Sequence, residues 1–333
     1  MTTVENNLLD VCGLKKTLKY TDAVQDINFN IKPFQKTAVI GETGSGKTTL
    51  LKMIAGLIQP DGGEIYFKGS KIKGPDDCLV PGHPEIAFLS QHFELFNNYY
   101  VHEFLSYKNE YNKEETNALF SLCKIDHLLH RKTHELSGGE RQRIALTKQL
   151  LLKPSFLLLD EPFSNLDGIN KISIKKLIED IINHLKITCL MVSHDANEIL
   201  SWAEKIYVIH KGQIVQDATP VELYHQPNSE YCAGLLGNFD LIENPSKYPL
   251  FSNIKSDHPL NKKLFIRPDY FHIEKSIESE DSYKVDKVIF NGNYSIVMID
   301  YFDIKINAIT NHFDIQNGDF VHVNFKSPVA WFL

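Results

Sequence analysis

The residues best suited to chemistry lie in one short run, Gly41-Glu42-Thr43-Gly44-Ser45-Gly46-Lys47-Thr48-Thr49. The run matches G-x-x-x-x-G-K-[ST], a pattern that holds a chain of phosphates. Its glycines let successive backbone N–H groups turn inward around an anion, and a helix that follows presents the positive end of its dipole. Lys47 supplies a mobile cation for β- and γ-phosphates, and the Thr48 hydroxyl is a ligand for Mg²⁺. With glycine at about 7% of residues, the four matched positions would arise by accident about once in a hundred such chains. The flanks fit as well: Val39-Ile40 ends an apolar run, and residues 47–57 read as an amphipathic helix.

A second acidic site completes the chemistry of a nucleoside triphosphate. Phe156-Leu157-Leu158-Leu159-Asp160 reads as a buried strand ending in a carboxylate, followed at once by Glu161. Adjacent residues at a strand end can point different ways, which leaves Asp160 for the metal, through water, and Glu161 for polarising the attacking water. Such a carboxylate pair is commonplace alone; beside a phosphate loop it acquires a use.

The elements that must position these groups are legible to about Ile214. Continuous apolar runs at 156–159, 188–192 and 206–209 alternate with helical stretches, which predicts an α/β sheet. From Gln91 to Leu136 the pattern is helical, a subdomain of about residues 91–150. Asn244-Pro245-Ser246-Lys247-Tyr248-Pro249 reads as a linker. Beyond it the period falls to two, at 293–298 and 304–308, with turns at Asn291-Gly292-Asn293 and Asn317-Gly318-Asp319. The expected organisation is residues 1–237 as one domain and 238–333 as a second, all-β one.

Leu136-Ser137-Gly138-Gly139-Glu140-Arg141-Gln142-Arg143, just before the acidic strand, resembles the signature motif of ABC ATPases. Other motifs of that family stand in order: Gln91 matches the Q-loop, Ser164-Asn165-Leu166-Asp167 the D-loop, and His194 the switch histidine. The resemblance covers about residues 1–235 and implies a P-loop ATPase core that binds ATP and Mg²⁺. By that resemblance Glu161, His194 and Gln91 serve hydrolysis, with Thr48, Gln91 and Asp160 toward the metal. The phosphate loop, Ser137, Gly138, Gly139 and Asp167 then contact nucleotide, and Tyr20 stacks on the adenine, with Leu18 as the alternative alignment. It further implies a head-to-tail dimer with itself or a paralogous ATPase subunit. Each ATP would lie between one phosphate loop and the other subunit's signature, where the helix start at Ser137 offers N–H groups to a γ-phosphate. The expected partners are a membrane permease and, through it, a substrate-binding protein. The aromatic loop at 92–100 should face the permease, Phe96 or Tyr99 lining a groove for one of its helices.

Gly212-Gln213-Ile214-Val215-Gln216-Asp217-Ala218-Thr219-Pro220 resembles the family's closing hairpin, with Ala218 where glycine is usual. Leu264-Phe265-Ile266-Arg267-Pro268-Asp269 and Val288-Ile289-Phe290-Asn291-Gly292 resemble segments of the TOBE-type β-barrel of importer ATPases for sugars, polyamines, sulfate and ferric iron. OB-like barrels can bind single-stranded nucleic acid, but no basic groove stands out. The reading is an importer ATPase; an exporter ATPase and a non-transport ABC ATPase acting on ribosomes or DNA are its rivals.

Composition sets the remaining bounds. A formal charge of -7 gives no reason to expect a polyanionic partner, and 43% hydrophobic with 23% charged residues is ordinary globular make-up. No apolar run reaches the roughly 18 residues of a membrane span. The N-terminal MTTVENNLLD carries acids and no apolar block, so no secretory signal is expected. Cys12, Cys78, Cys123, Cys189 and Cys232 are widely spaced, without Cys-x-x-Cys, and read as inert thiols of a reducing cytosol. The expected location is the cytoplasmic face of a membrane, reached through a partner.

Overall fold

A computed structural model of the chain describes residues 7–19, 21–91, 95–164, 166–252, 254, 262–326 and 330–333. The chain divides into two compact units, Met1–Pro220 and Val221–Leu333.

The first unit opens with β1 (Leu9–Leu18), β2 (Thr21–Ile31), β3 (Lys36–Ile40) and α1 (Lys47–Ile54), then β4 (Gly62–Phe67), β5 (Ser70–Lys71) and β6 (Ile86–Leu89). Helices α2 (Val101–Ser106), α3 (Lys113–Cys123) and α4 (Gly138–Leu150) follow. The unit closes through β7 (Phe156–Asp160), α5 (Gly168–Leu185), β8 (Thr188–Ser193), α6 (Ala196–Leu200), β9 (Lys205–His210) and β10 (Gln213–Ala218). An antiparallel sheet has the order β2-β1-β4-β5, and a second sheet the order β10-β9-β3-β8-β7-β6. In the second, β9, β3, β8, β7 and β6 are parallel and every residue of β7 and β8 is buried, as the uninterrupted apolar runs predict. One hydrophobic core joins both sheets: Leu9, Val11 and Ile31 from the first, Phe156, Leu158 and Val192 from the second, with Leu50, Leu51, Met53 and Ile54 of α1 between. Each such side chain removed from water contributes about 1.5–3 kcal/mol, so α1 is held firmly at the seam. The β9–β10 hairpin turns on Lys211 (φ 48°) and Gly212 (φ 78°), the paired positive dihedrals that a two-residue turn needs.

The second unit holds α7 (Pro220–His225), α8 (Glu230–Leu235), β11 (Asp240–Ile242), β12 (Leu264–Ile266), β13 (Phe271–Ser276), β14 (Tyr283–Phe290), β15 (Ser295–Tyr301), β16 (Ile304–Thr310), β17 (Phe320–Phe325) and β18 (Trp331–Phe332). Its five-stranded antiparallel sheet has the order β13-β17-β14-β15-β16, and a three-stranded one the order β11-β12-β18. The expected turns fall where glycine takes a positive φ, at Gly292 (87°) and Gly318 (88°).

Two expectations about this region change. The stretch from Asn244 to Pro249 is no linker. Asn244 takes the left-handed conformation (φ 51°), and two prolines start successive 3₁₀ turns, Pro245–Lys247 and Pro249–Phe251. Pro245, Tyr248 and Phe251 are buried there, and the Tyr248 hydroxyl donates to Asp303 Oδ1 at 3.0 Å. The unit boundary also lies before Val221 rather than after Gly237. The cause is Arg267, fully buried, whose Nε donates to the Tyr224 carbonyl at 3.2 Å. Its Nη1 donates to the carbonyls of Gly237 (3.0 Å) and Asn238 (3.2 Å), and its guanidinium lies over the rings of Tyr224 and Phe265. Trp331 Nε1 adds a bond to the Pro227 carbonyl at 2.6 Å, so α7 and α8 fold with the β strands.

Arg267→Met should therefore lower the stability of the second unit by about 2–4 kcal/mol, because it strands buried carbonyls. Thermal unfolding of the full chain measures this. A chain ending at Pro220 should fold and bind ATP, whereas one ending at Gly237 exposes Leu223 and Cys232 and should aggregate; soluble yields and ATP binding of the two truncations compare them.

Candidate functional site

The parallel strands deliver the chemistry to one edge of their sheet. β3 ends at Ile40 and runs into the phosphate loop; β7 ends at Asp160, before Glu161; β8 ends at Ser193, before His194. A cleft of about 570 Å³ opens there, walled by residues of the loop, by Gln91, Glu161 and His194, and by Leu18, Thr21 and Ala23.

Glycine is obligatory at two points of the loop. Gly46 has φ 102°, and a Cβ on it would stand 1.9 Å from the Ala23 carbonyl oxygen. A Cβ on Gly41 would stand 2.2 Å from the Ile209 carbonyl oxygen. The loop is thus pressed against β2 and β9, and the Gly212 N–H binds the Ser45 carbonyl at 3.2 Å. Lys47, almost fully buried, folds its ammonium back onto the carbonyls of Gly41 and Glu42, both at 2.8 Å. Desolvation lowers its pKa, against the pull of Glu161, Asp160 and Glu42. The Ser45 hydroxyl is buried inside the Gly41–Thr49 loop with no hydrogen-bond partner among the described residues. An anion is what such a cradle lacks.

Asp160 and Glu161 do diverge. Thr48 Oγ1 donates to Asp160 Oδ1 at 3.0 Å. Burial raises the Asp160 pKa, partly opposed by that hydrogen bond. Glu161 sits at φ 47°, a left-handed backbone that costs a non-glycine residue about 1–3 kcal/mol and clusters at functional sites. Its N–H donates to the Val192 carbonyl at 3.0 Å, one step past the β7–β8 ladder. This geometry turns its carboxylate toward Gln91 Nε2 (3.3 Å) and His194 Nδ1 (3.2 Å).

Other expected residues stand elsewhere. Ser137 caps α4 in a reciprocal pair: the Glu140 N–H donates to its hydroxyl, and its own N–H donates to Glu140 Oε2 at 2.8 Å. Gly138 is exposed, and a Cβ there would meet nothing within 4 Å. Gly139 follows in the same first turn, and Asp167 caps α5 by accepting from the Asn170 N–H at 2.9 Å. None of these four lines the cleft. Glu42, Thr43 and Gly44 lie in the loop itself and Thr49 in the first turn of α1, whereas Tyr20 and Asn165 fall outside the described residues. Phe96 is 71% and Tyr99 53% exposed; Phe96, not Tyr99, lines a groove of about 350 Å³ with Phe88, Phe104 and Tyr107.

Sequence reasoning missed Thr21 and Ala23, which enter the cleft wall without any motif. It also missed Gln142, fully buried, whose Nε2 donates to the Pro162 carbonyl beside Glu161. The spacing from Ser137 put Gln142 on the inner face of α4, the one signal that could have found it. Among the described residues no helix is long and apolar enough to cross a membrane.

The chain is similar to known proteins over most of its length. The family described as ABC transporter matches residues 24–164. The sulfate/thiosulfate import ATP-binding protein CysA of Mesostigma viride is 32% identical, covering 91% of this chain and 90% of its own. The glucose import ATP-binding protein GlcV of Saccharolobus solfataricus is 32% identical over 90% of this chain and 91% of that one. The Fe(3+) ions import ATP-binding protein FbpC 2 of Pectobacterium atrosepticum is 32% identical, with 80% and 81% covered. Among solved structures, cbiO1 from Clostridium perfringens, part of the ABC transporter complex cbiONQ, superposes with a TM-score of 0.58 at 27% identity, over 66% of this chain and 91% of that one. With Lys47, Thr48, Asp160 and Glu161 gathered at one sheet edge, and relatives matched nearly end to end, this chain belongs to the ABC transporter family as an importer-type ATP-binding subunit that hydrolyses ATP.

Proposed function

We propose that hydrolysis takes place in the 570 Å³ cleft, with Glu161 polarising the attacking water and Gln91 and His194 orienting the Glu161 carboxylate. The observation that carries this reading is the meeting of Gln91 Nε2 and His194 Nδ1 on one oxygen of Glu161, Oε2, in a cleft also walled by the phosphate loop. Lys47 leaves the Gly41 and Glu42 carbonyls for the phosphates, whose charge favours its protonated form. Thr48 and Asp160 are hard oxygen donors and fit Mg²⁺, with Gln91 on the wall of the same cleft as Thr48. Among the described residues no cluster of three or more His, Cys, Asp or Glu could hold a metal. When bound, Mg²⁺ neutralises phosphate charge.

The signature acts on another subunit's nucleotide. Gly138 needs no glycine for its own fold, since a side chain would find open space; a ligand approaching from outside explains the choice. The α4 N-terminus offers free N–H groups and a dipole to a γ-phosphate. Two copies, or this chain and a paralogue, pack head to tail around two ATP molecules. The groove of Phe88, Phe96, Phe104 and Tyr107 receives a permease helix at the cytoplasmic face of the membrane. Residues 221–333 form a TOBE-like domain, and a substrate-binding protein acts through the permease. Relatives named for cargoes as unlike as sulfate, Fe(3+) and glucose share this ATPase. Cargo choice therefore belongs to the permease and its binding protein.

Glu161→Gln should cut turnover by at least about a hundredfold while sparing ATP binding, and should stabilise an ATP-bound dimer on gel filtration. Near wild-type hydrolysis would refute the assignment. Lys47→Ala should weaken nucleotide binding about 10- to 100-fold, read by titration with a fluorescent ATP analogue.

A mixed dimer of Lys47→Ala and Ser137→Arg subunits keeps one intact composite site and should hydrolyse ATP, whereas either variant alone should not. Equal inactivity of all three samples would show that the signature does not serve the partner's nucleotide.

A further inference from the structure

His194 is half exposed, on a short loop between β8 and α6, yet its ring must be held on Glu161 for both to act together. Among the described residues, neither ring packing nor a side-chain bond beyond the Glu161 contact explains that placement. The residues on either side of it do. The Ser193 hydroxyl, buried, accepts from the Asp195 N–H at 3.0 Å and donates to Glu198 Oε2. Asp195 Oδ1 accepts from the Asn197 N–H at 2.9 Å and so caps α6. The remaining oxygens of this bracket, Asp195 Oδ2 and Glu198 Oε1, both accept from one cation: Lys171 Nζ, at 2.8 and 2.7 Å. Lys171 stands in the first turn of α5, its N–H bonded to the Asp167 carbonyl at 2.9 Å.

We propose that Lys171 is a positioning residue for ATP hydrolysis, which ties the His194 loop to the start of α5 and thereby holds the imidazole against Glu161. The proposal rests on the reading of Glu161 and His194 as groups of the reaction. An ordinary strut between two helices would need no such arrangement. Trp202 and Ile199 already bury α6 against its neighbours, and a partly buried ion pair adds little net stability over a packed apolar pair. What the ion pair adds is direction. Lys171 binds two carboxylates that lie one and four residues after His194, and Glu198 passes the constraint to the residue before it. The three contacts fix the backbone on both sides of one side chain. Lys171 itself does not line the cleft, so its removal leaves the nucleotide contacts in place.

The test uses the full chain and measures kcat, KM for ATP, affinity for a fluorescent nucleotide and thermal unfolding for Lys171→Met, Lys171→Arg, His194→Ala and the Lys171→Met/His194→Ala pair. Lys171→Met is expected to lower kcat about tenfold by misplacing a reacting group, with nucleotide affinity and KM unchanged within about twofold. Lys171→Arg, which keeps the charge, restores most of the turnover. In the His194→Ala background the Lys171→Met change costs nothing further, because the two act through one group. Losses that multiply in the double variant overturn the proposal, as does an unchanged kcat in Lys171→Met when His194→Ala is impaired. Full activity in His194→Ala instead removes the reading on which the proposal stands, and the proposal with it. Should Lys171→Met fail to fold, Glu198→Gln carries the same test, judged by the same non-additivity with His194→Ala.

Discussion

Parallel pairing of β3, β8 and β7 sets Ile40 beside Ser193 and Val192 beside Asp160. The phosphate loop, Glu161 and His194 all leave the sheet at that level. A parallel ladder makes this possible because its strands all point the same way, so several chain segments can deliver loops to a single edge. A slip of one residue in either pairing would turn Asp160 or the phosphate loop to the wrong face. The register is protected by burial on both sides: all eleven side chains of β7 and β8, five and six residues long, are out of water.

The antiparallel sheet performs a different task. It does not supply the phosphate contacts; it supplies a surface against which the loop is shaped. The Ala23 carbonyl occupies the space a side chain at Gly46 would need, and Gly212 at the tip of the β9–β10 hairpin holds the Ser45 carbonyl. The Gln25 N–H in turn binds the Gly212 carbonyl at 2.7 Å, so β2 and the hairpin brace one another behind the loop. The cradle is therefore set by contacts from two distant parts of the chain, β2 and the β9–β10 hairpin.

What was legible in the sequence was the chemistry written in local residue types. Apolar runs marked the buried strands, the glycines and Lys47 marked the cradle, and Asn-Gly pairs marked the β turns of the second unit. What was not legible passes through backbone atoms or across long separations. Arg267 draws α7 and α8 into the second unit by binding carbonyls 29 to 43 residues away, and a carbonyl has no residue type to betray it. The Asn244–Pro249 stretch has the composition of a linker and of a 3₁₀ turn alike; residues far along the chain, Asp303 and Tyr301 among them, decide between them. Ala23 enters the cleft by position alone.

Glu161 carries a last consequence. Its backbone lies where glycine is at ease and glutamate is not, so the fold would gain from Glu161→Gly the strain it now bears, about 1 kcal/mol or more. The residue to which we assign the polarising of water is one the architecture would rather replace. Selection for heat resistance alone, without a demand for turnover, would drive this chain toward an inert protein that still folds well.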